Sequence, residues 1–393
     1  MIAFANQGSE MERYEQVAFF VGLIGVLASI AGFVINRQQF FQAYLFSYVF
    51  WLGMALGCLG LVMLNHVVGG KWGLVIRRLL EVGSLNLPMM MALIIPVLLG
   101  LGSLYLWTHT DAIAHDEAIQ KKTGYLNVPF FLIRAIIYFA IWCSYAFVLS
   151  RLSAAQDRGG DANLIDRMRT ISAPGLVIFT VSTTFAFIDW VMSLEPHWYS
   201  TIYGLMFLIG QVLQALAFVI AVLILLSDRE PLRTRLTAQH FHDLGNLMLA
   251  FTVLWAYLSF SQFLIIWAGN LPEEIPWYLS RLRGGWNVVA VILVLFHFAL
   301  PFVVLLYREA KRRARILLII SFAMLAARVV DVFWVVEPSL RPTGFAISWI
   351  DAATFLGIGG LWVGMFFRRL KTRELLPIGD WRLAGPPKEM VSY

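Results

Sequence analysis

Apolar residues in this chain run in long stretches broken by short polar segments, and most stretches are longer than a buried strand or an ordinary core helix needs. Windows of about 20 apolar residues predict ten membrane-crossing helices, near 16–35, 41–67, 85–108, 127–150, 172–193, 199–226, 243–269, 285–307, 314–336 and 344–367. Pro88 and Pro174 fall near the predicted starts of the third and fifth spans, where a missing N–H costs little. Pro96 and Pro301 fall deeper and predict kinks. No soluble domain, low-complexity segment or long linker divides the chain. The pattern predicts an all-α integral membrane protein, one polytopic domain over 1–393.

Within that pattern one device appears twice. Asp189 closes an apolar run and is followed by Glu195-Pro196; Asp331 closes another and is followed by Glu337-Pro338. Each Glu-Pro reads as a helix stop. The third and seventh spans also agree, with Asn86 and Trp107 in one matched at equal spacing by Asn246 and Trp267 in the other. Matching spans are four apart and cross in the same direction, so the pattern predicts two parallel four-helix bundles. The first covers spans two to five (41–193) and the second spans six to nine (199–336). Span one (1–40), span ten (344–367) and a tail (368–393) flank them. The parallel order argues against an inverted-repeat transporter.

Composition agrees with this class: 60% of the 393 residues are hydrophobic and 14% charged. The net charge of +6 does not point to nucleic acid, because the basic residues gather in alternate connections. Loops after even-numbered spans carry Lys71, Arg77, Arg78, Arg151, Arg158, Arg229 and the run from Arg308 to Arg315, and the tail adds Arg368, Arg369 and Lys388. By the positive-inside rule both termini are cytoplasmic, with Arg281 and Arg283 against the trend. Asp189, Glu195, Asp331 and Glu337 then lie towards the outer face. The polar start, with Glu10, Glu12 and Glu15, lacks the basic segment and small-residue cleavage site of a secretory signal. Cys58 and Cys143 sit in apolar helices and supply neither a disulfide framework nor an iron–sulfur ligand set.

Ionisable groups inside apolar spans are costly and mark either a structural clasp or a functional site. Arg134 lies at a depth similar to Asp189. Arg328 and Asp331 are three apart and share a helical face. Asp351 is placed about two turns inside span ten, with Ser348 on its face. At the inner side stand His66, His240, His242, Asp243, Gln211 and Gln214, and His297 lies mid-span. A proton route would take Asp243 and His242 inside, His297 in the middle, and Asp331, Asp189 or Asp351 outside, with water in the gaps. No pair of histidines at matched depth suits a dihaem bundle. Gly357-Ile358-Gly359-Gly360 lies in an apolar span and reads as close helix packing, not as a nucleotide loop.

Several segments resemble the NrfD/polysulfide-reductase family of membrane subunits, and within it the F-type subunits of alternative complex III, a quinol:electron-acceptor oxidoreductase. They are Tyr125 to Arg134, Phe187 to Tyr203, His242 to Tyr257 and Ser261 to Trp267. The resemblance implies a bacterial inner-membrane subunit without a redox centre of its own. It implies a non-catalytic role supporting assembly, with proton translocation as a further role. Expected partners are lipids, a paralogous quinol-binding subunit, and iron–sulfur and cytochrome c subunits that carry the haem and clusters. Asp189 and its neighbours fall where the paralogue's quinol pocket lies, so contact with quinol or menaquinol is implied. Arg134, Asp189, Glu195, Arg328, Asp331, Glu337, Asp351, His242, Asp243 and His297 are the residues to locate. Three readings stand: a supporting subunit, the quinol-binding subunit itself, and an ion-coupled secondary transporter.

Overall fold

Helix ends in this chain fall where a side chain or a glycine can satisfy the last free backbone groups. Asn36 accepts from the Gln39 N–H at 3.1 Å to open one helix, and Gly69 closes it in the left-handed region at φ 74°. In the computed structural model, which describes residues 2–159, 163–380 and 382, the chain is helical and no strand occurs among the described residues. Among the described residues ten helices are long and apolar enough to span: Glu10–Ile35, Arg37–Val68, Lys71–Leu99, Val128–Gly159, Asn163–Leu194, Tyr203–Leu225, Ala238–Gly269, Trp286–Leu306, Ala314–Leu340 and Trp349–Leu370. The chain is a multi-pass membrane protein, and exposed apolar side chains such as Ile136, Val177, Val253 and Ile319 face the lipid. Lys388 lies outside the described residues.

Several boundaries differ from expectation. The third span begins at Lys71, not near 85, because Arg77, Arg78 and Glu81 are paired inside the protein with one another and with Asp157 and Asp380. They are buried helix residues rather than loop charges. This span breaks around Leu85–Asn86 and again at Ile94 beside Pro96. The fifth span begins at Asn163, which leaves Pro174 inside a helix instead of at its start. Ahead of Pro301 the eighth span widens into a π-helical segment, Leu293–Ala299, the type of irregularity a buried proline provokes. Neither Glu-Pro acts as the stop. The fifth helix yields at Trp190, before Glu195, whereas the ninth runs through Glu337-Pro338 to Leu340. The tenth starts only at Trp349, so Asp351 is in its first turn rather than two turns deep.

Packing centres on the second and sixth spans, which are almost wholly buried. A Cβ on Gly57 would stand 2.0 Å from the Gln211 carbonyl oxygen, so only glycine permits this approach. Gln214 Nε2 donates to the Phe50 carbonyl at 2.9 Å across the same seam. Packed pairs recur at an offset of four: second with third and sixth with seventh, second with fifth and sixth with ninth, fourth with fifth and eighth with ninth. Side chains do not all follow. Asn86 is buried and donates to the Trp362 carbonyl, whereas Asn246 is exposed; Trp107 is buried below the third span, whereas Trp267 is exposed. The first span lies against the tenth, where Cβ atoms on Gly25 and Gly360 would each come within 2.3 Å of the opposite backbone. The Gly357–Gly360 run is thus a helix-packing surface.

Candidate functional site

The carboxylates of spans two to five and of spans six to nine, the two bundles expected from the sequence, occupy one end of the molecule, and they are bound in different ways. Asp189 is fully buried at the end of the fifth span. Arg134 of the fourth span approaches it side-on, Nε donating to Oδ2 at 2.8 Å and Nη2 to Oδ1 at 3.0 Å, and the Tyr138 hydroxyl donates to Oδ2 at 2.8 Å. Nη1 of the same arginine donates to the Tyr125 carbonyl at 2.9 Å, and its guanidinium lies over the Tyr125 ring at 3.9 Å. Charge, donors and stacking are all used within the protein. The first bundle therefore holds a closed clasp at the place expected for a quinol pocket.

In the second bundle the corresponding pair is intrahelical. Arg328 Nη1 donates to Asp331 Oδ2, and Trp255 Nε1 of the seventh span donates to the same oxygen at 3.2 Å. No hydrogen bond among the described residues reaches Asp331 Oδ1. Arg328 Nε and Trp334 Nε1 are buried without a partner. Arg328, Asp331 and Trp334 are among the residues lining a cavity of about 640 Å³, walled by aromatic and aliphatic side chains of the sixth to ninth spans and by Trp277 and Tyr278 of a short helix, Ile275–Arg281. Behind Trp255, with ring centroids 3.9 Å apart, sits His297, fully buried and with neither nitrogen bonded.

Two further arginines tie this end together: Arg281, which the charge rule counts as a loop residue, and Arg341. Arg281 is fully buried; Nη1 donates to Glu195 Oε1 at 2.9 Å, and Nη2 to the Val335 carbonyl at 2.7 Å and to Ser339 Oγ at 2.8 Å. Ser339 Oγ also donates to Glu195. Glu195 of the first bundle is thereby joined to the ninth span of the second. Burial lowers the Arg281 guanidinium from its ordinary value, and Glu195 opposes that shift. This buried role removes Arg281 as an exception to the charge rule. Arg341 donates from Nη1 to Asp351 Oδ2 at 3.0 Å and stands within ion-pair distance of Glu337, 2.7 Å, without hydrogen-bond alignment. The Ser348 N–H donates to Asp351 Oδ2 at 2.7 Å, so this carboxylate caps its own helix.

The inner set stands apart. His242 and Asp243 are half-buried at the opposite end, bound to Asn246 and Gln239 in their own helix. His66 is buried against Ser172 at 3.1 Å. His297, Trp255, Arg328 and Asp331 come together; Asp189, Asp351 and the His242–Asp243 pair do not join them. Also at the opposite end, Arg77 and Arg78 share Glu81 and Ser153, and Arg77 reaches Asp380 of the tail at 3.1 Å. The two basic side chains were visible in the sequence, but not the tail segment that meets them. Compared with known proteins, the chain matches no family model and no curated protein.

Proposed function

We propose that this chain is an integral subunit of a quinol-oxidising respiratory complex of a bacterial inner membrane, one that supports assembly and brings no redox centre of its own. The observation that carries the reading is the bridge from Glu195 of the first bundle to Arg281 and Ser339 of the second. Together with the glycine-tight seam between the second and sixth spans, it joins the bundles at the carboxylate end and within the membrane.

A transporter that rocks one bundle against the other would have to break these contacts in each cycle. Breaking the Arg281–Glu195 contact, in which Glu195 keeps partial access to water, costs about 1–3 kcal/mol, and a close-packed seam offers no second arrangement. A fixed body suits a subunit on which other subunits assemble. The closed Arg134–Asp189 clasp argues in the same direction, since it leaves no free carboxylate in the first bundle to receive a quinol proton. The quinol-binding alternative at Asp189 is less favoured for that reason.

Affinity purification of the tagged chain from mildly solubilised membranes tests the proposal. It should bring down haem- and iron–sulfur-containing partners in fixed ratio, together with a second polytopic subunit. Recovery of the chain alone, or as a homo-oligomer, would sink the assignment.

A further inference from the structure

At the end of the molecule that carries the tail, many cations are matched by carboxylates: Arg77 and Arg78 by Glu81, Asp380 and Asp157, Arg229 by Glu10, and Lys371 by Glu15. The connection between the eighth and ninth spans is not. Arg308, Lys311, Arg312, Arg313 and Arg315 lie close together there, with Glu309 as the single carboxylate among them. Among the described residues, neither Glu309 nor any of the five cations makes an ion pair or a side-chain hydrogen bond. Arg308, Arg313 and Arg315 are exposed, and water serves them.

Lys311 is in a different position, because it is only 6% exposed. The short helix Arg308–Arg312 lies against the seventh span, and the lysine stem crosses that span at Gly245. A Cβ on Gly245 would stand 2.7 Å from Lys311 Cγ and 3.1 Å from Cδ, so the helix lacks a side chain where the stem passes. The ammonium is unbonded but not sealed in, and it keeps a small opening to the surface. Burial lowers it from its ordinary value, and among the described residues no carboxylate opposes that shift. An ammonium held among apolar groups without a counter-charge is costly unless an anion completes it.

The surface beside the cluster selects the anion. Leu300, Val303 and Tyr307 are three and four residues apart on one face of the eighth span, and all are exposed. This apolar stripe runs out of the hydrocarbon and stops at Tyr307, whose carbonyl accepts from the Lys311 N–H at 3.4 Å. A tyrosine ring at that level suits the boundary between acyl chains and headgroups. A ligand that uses both the stripe and the cations needs an anionic head and hydrocarbon tails. Free phosphate or a nucleotide would use the cations alone. A choline phospholipid would add its own cation to five others. We propose that an anionic phospholipid of the tail-side leaflet binds here, its phosphate against Lys311 and the neighbouring arginines and an acyl chain along Leu300 and Val303. This site requires only that the chain spans a membrane, and does not need the subunit assignment.

The test uses the full chain in detergent, with the partners it retains, and native mass spectrometry of bound lipid. Dioleoylphosphatidylglycerol should be retained over dioleoylphosphatidylcholine by on the order of tenfold, and inorganic phosphate should not displace it. Lys311→Met keeps the stem and removes the charge, so it should cut that preference by about fivefold. Arg233→Gln removes an exposed cation elsewhere at the same end and should leave the preference unchanged. Equal retention of the two lipids, equal effects of the two substitutions, or displacement by phosphate alone would overturn the assignment. So would a photo-crosslinker at Arg308, activated in native membranes, that captures a protein in place of lipid. If Lys311→Met does not accumulate, Arg312→Gln with Arg315→Gln takes its place, and an unchanged preference in that double variant counts against the site. A chain that shows the lipid preference but purifies without redox partners defeats the subunit assignment and leaves this one standing.

Discussion

Replacing Arg134 by leucine removes the cation from a closed site and leaves its anion behind. Asp189 has no exposed surface, and Tyr138 would be its one remaining side-chain donor. Two charge-assisted hydrogen bonds, at 2.8 and 3.0 Å, vanish, together with the donation to the Tyr125 carbonyl and the stacking over its ring. Breaking a buried pair from one side typically costs about 3–5 kcal/mol, and the lost cation–π contact adds about 0.5–2 kcal/mol. The fall in melting temperature should be on the order of 5–10 °C or more. Arg158→Leu is the control, since Arg158 is exposed and, among the described residues, bonds only the Ala154 carbonyl of its own helix. Fluorescence-detected unfolding of detergent-solubilised protein compares the two. A double variant, Arg134→Leu with Asp189→Leu, should recover much of the loss, because no stranded charge remains. Equal melting of Arg134→Leu and Arg158→Leu would refute the reasoning, as would a double variant no better than the single one.

Other expectations follow from the same contacts. Arg281→Leu should destabilise less than Arg134→Leu, by about 1–3 kcal/mol, because Glu195 keeps partial access to water; the same unfolding assay ranks them. Gly25→Leu should dislodge the first span, since even a Cβ there would lie 2.3 Å from the Gly357 nitrogen; disulfide trapping between cysteines placed in the first and tenth spans reads this out, and undiminished trapping would contradict it. Trypsin added at the tail side should cleave slowly between Arg369 and Asp380, because Leu375, Leu376 and Asp380 are buried and Arg373 donates to Ser150 at 2.7 Å. Asp380→Ala should speed that cleavage, and equal rates would show that the Arg77 contact does not hold the tail.

Much of the carboxylate end was legible from hydropathy and spacing. Arg328 and Asp331 are three apart on one helix, and Arg134 and Asp189 lie at like depth on neighbouring spans, so both pairings follow from elementary geometry. The partners of Glu195, Glu337 and Asp351 were not legible. Arg281 and Arg341 sit in connections, where charge normally reports topology, and only the chain's return over the bundle buries them. The third span was displaced for a related reason: hydropathy reads Arg77, Arg78 and Glu81 as three charges, while the fold pairs them with one another and with Asp157 and Asp380. The cavity left no pattern in the sequence because it is the space left where two spans part. Trp255 and Trp334 look like ordinary core aromatics until their N–H groups are traced.

We propose this chain as a fixed, redox-centre-free body within a larger quinol-oxidising assembly. A density map of the complex purified through this subunit tests it most directly. The map should show the ten spans packed beside a second polytopic subunit, every haem and iron–sulfur centre held by other chains, and the Glu195–Arg281–Ser339 bridge closed. A map showing this chain alone or only with copies of itself, or with the two bundles parted at that bridge, would contradict it.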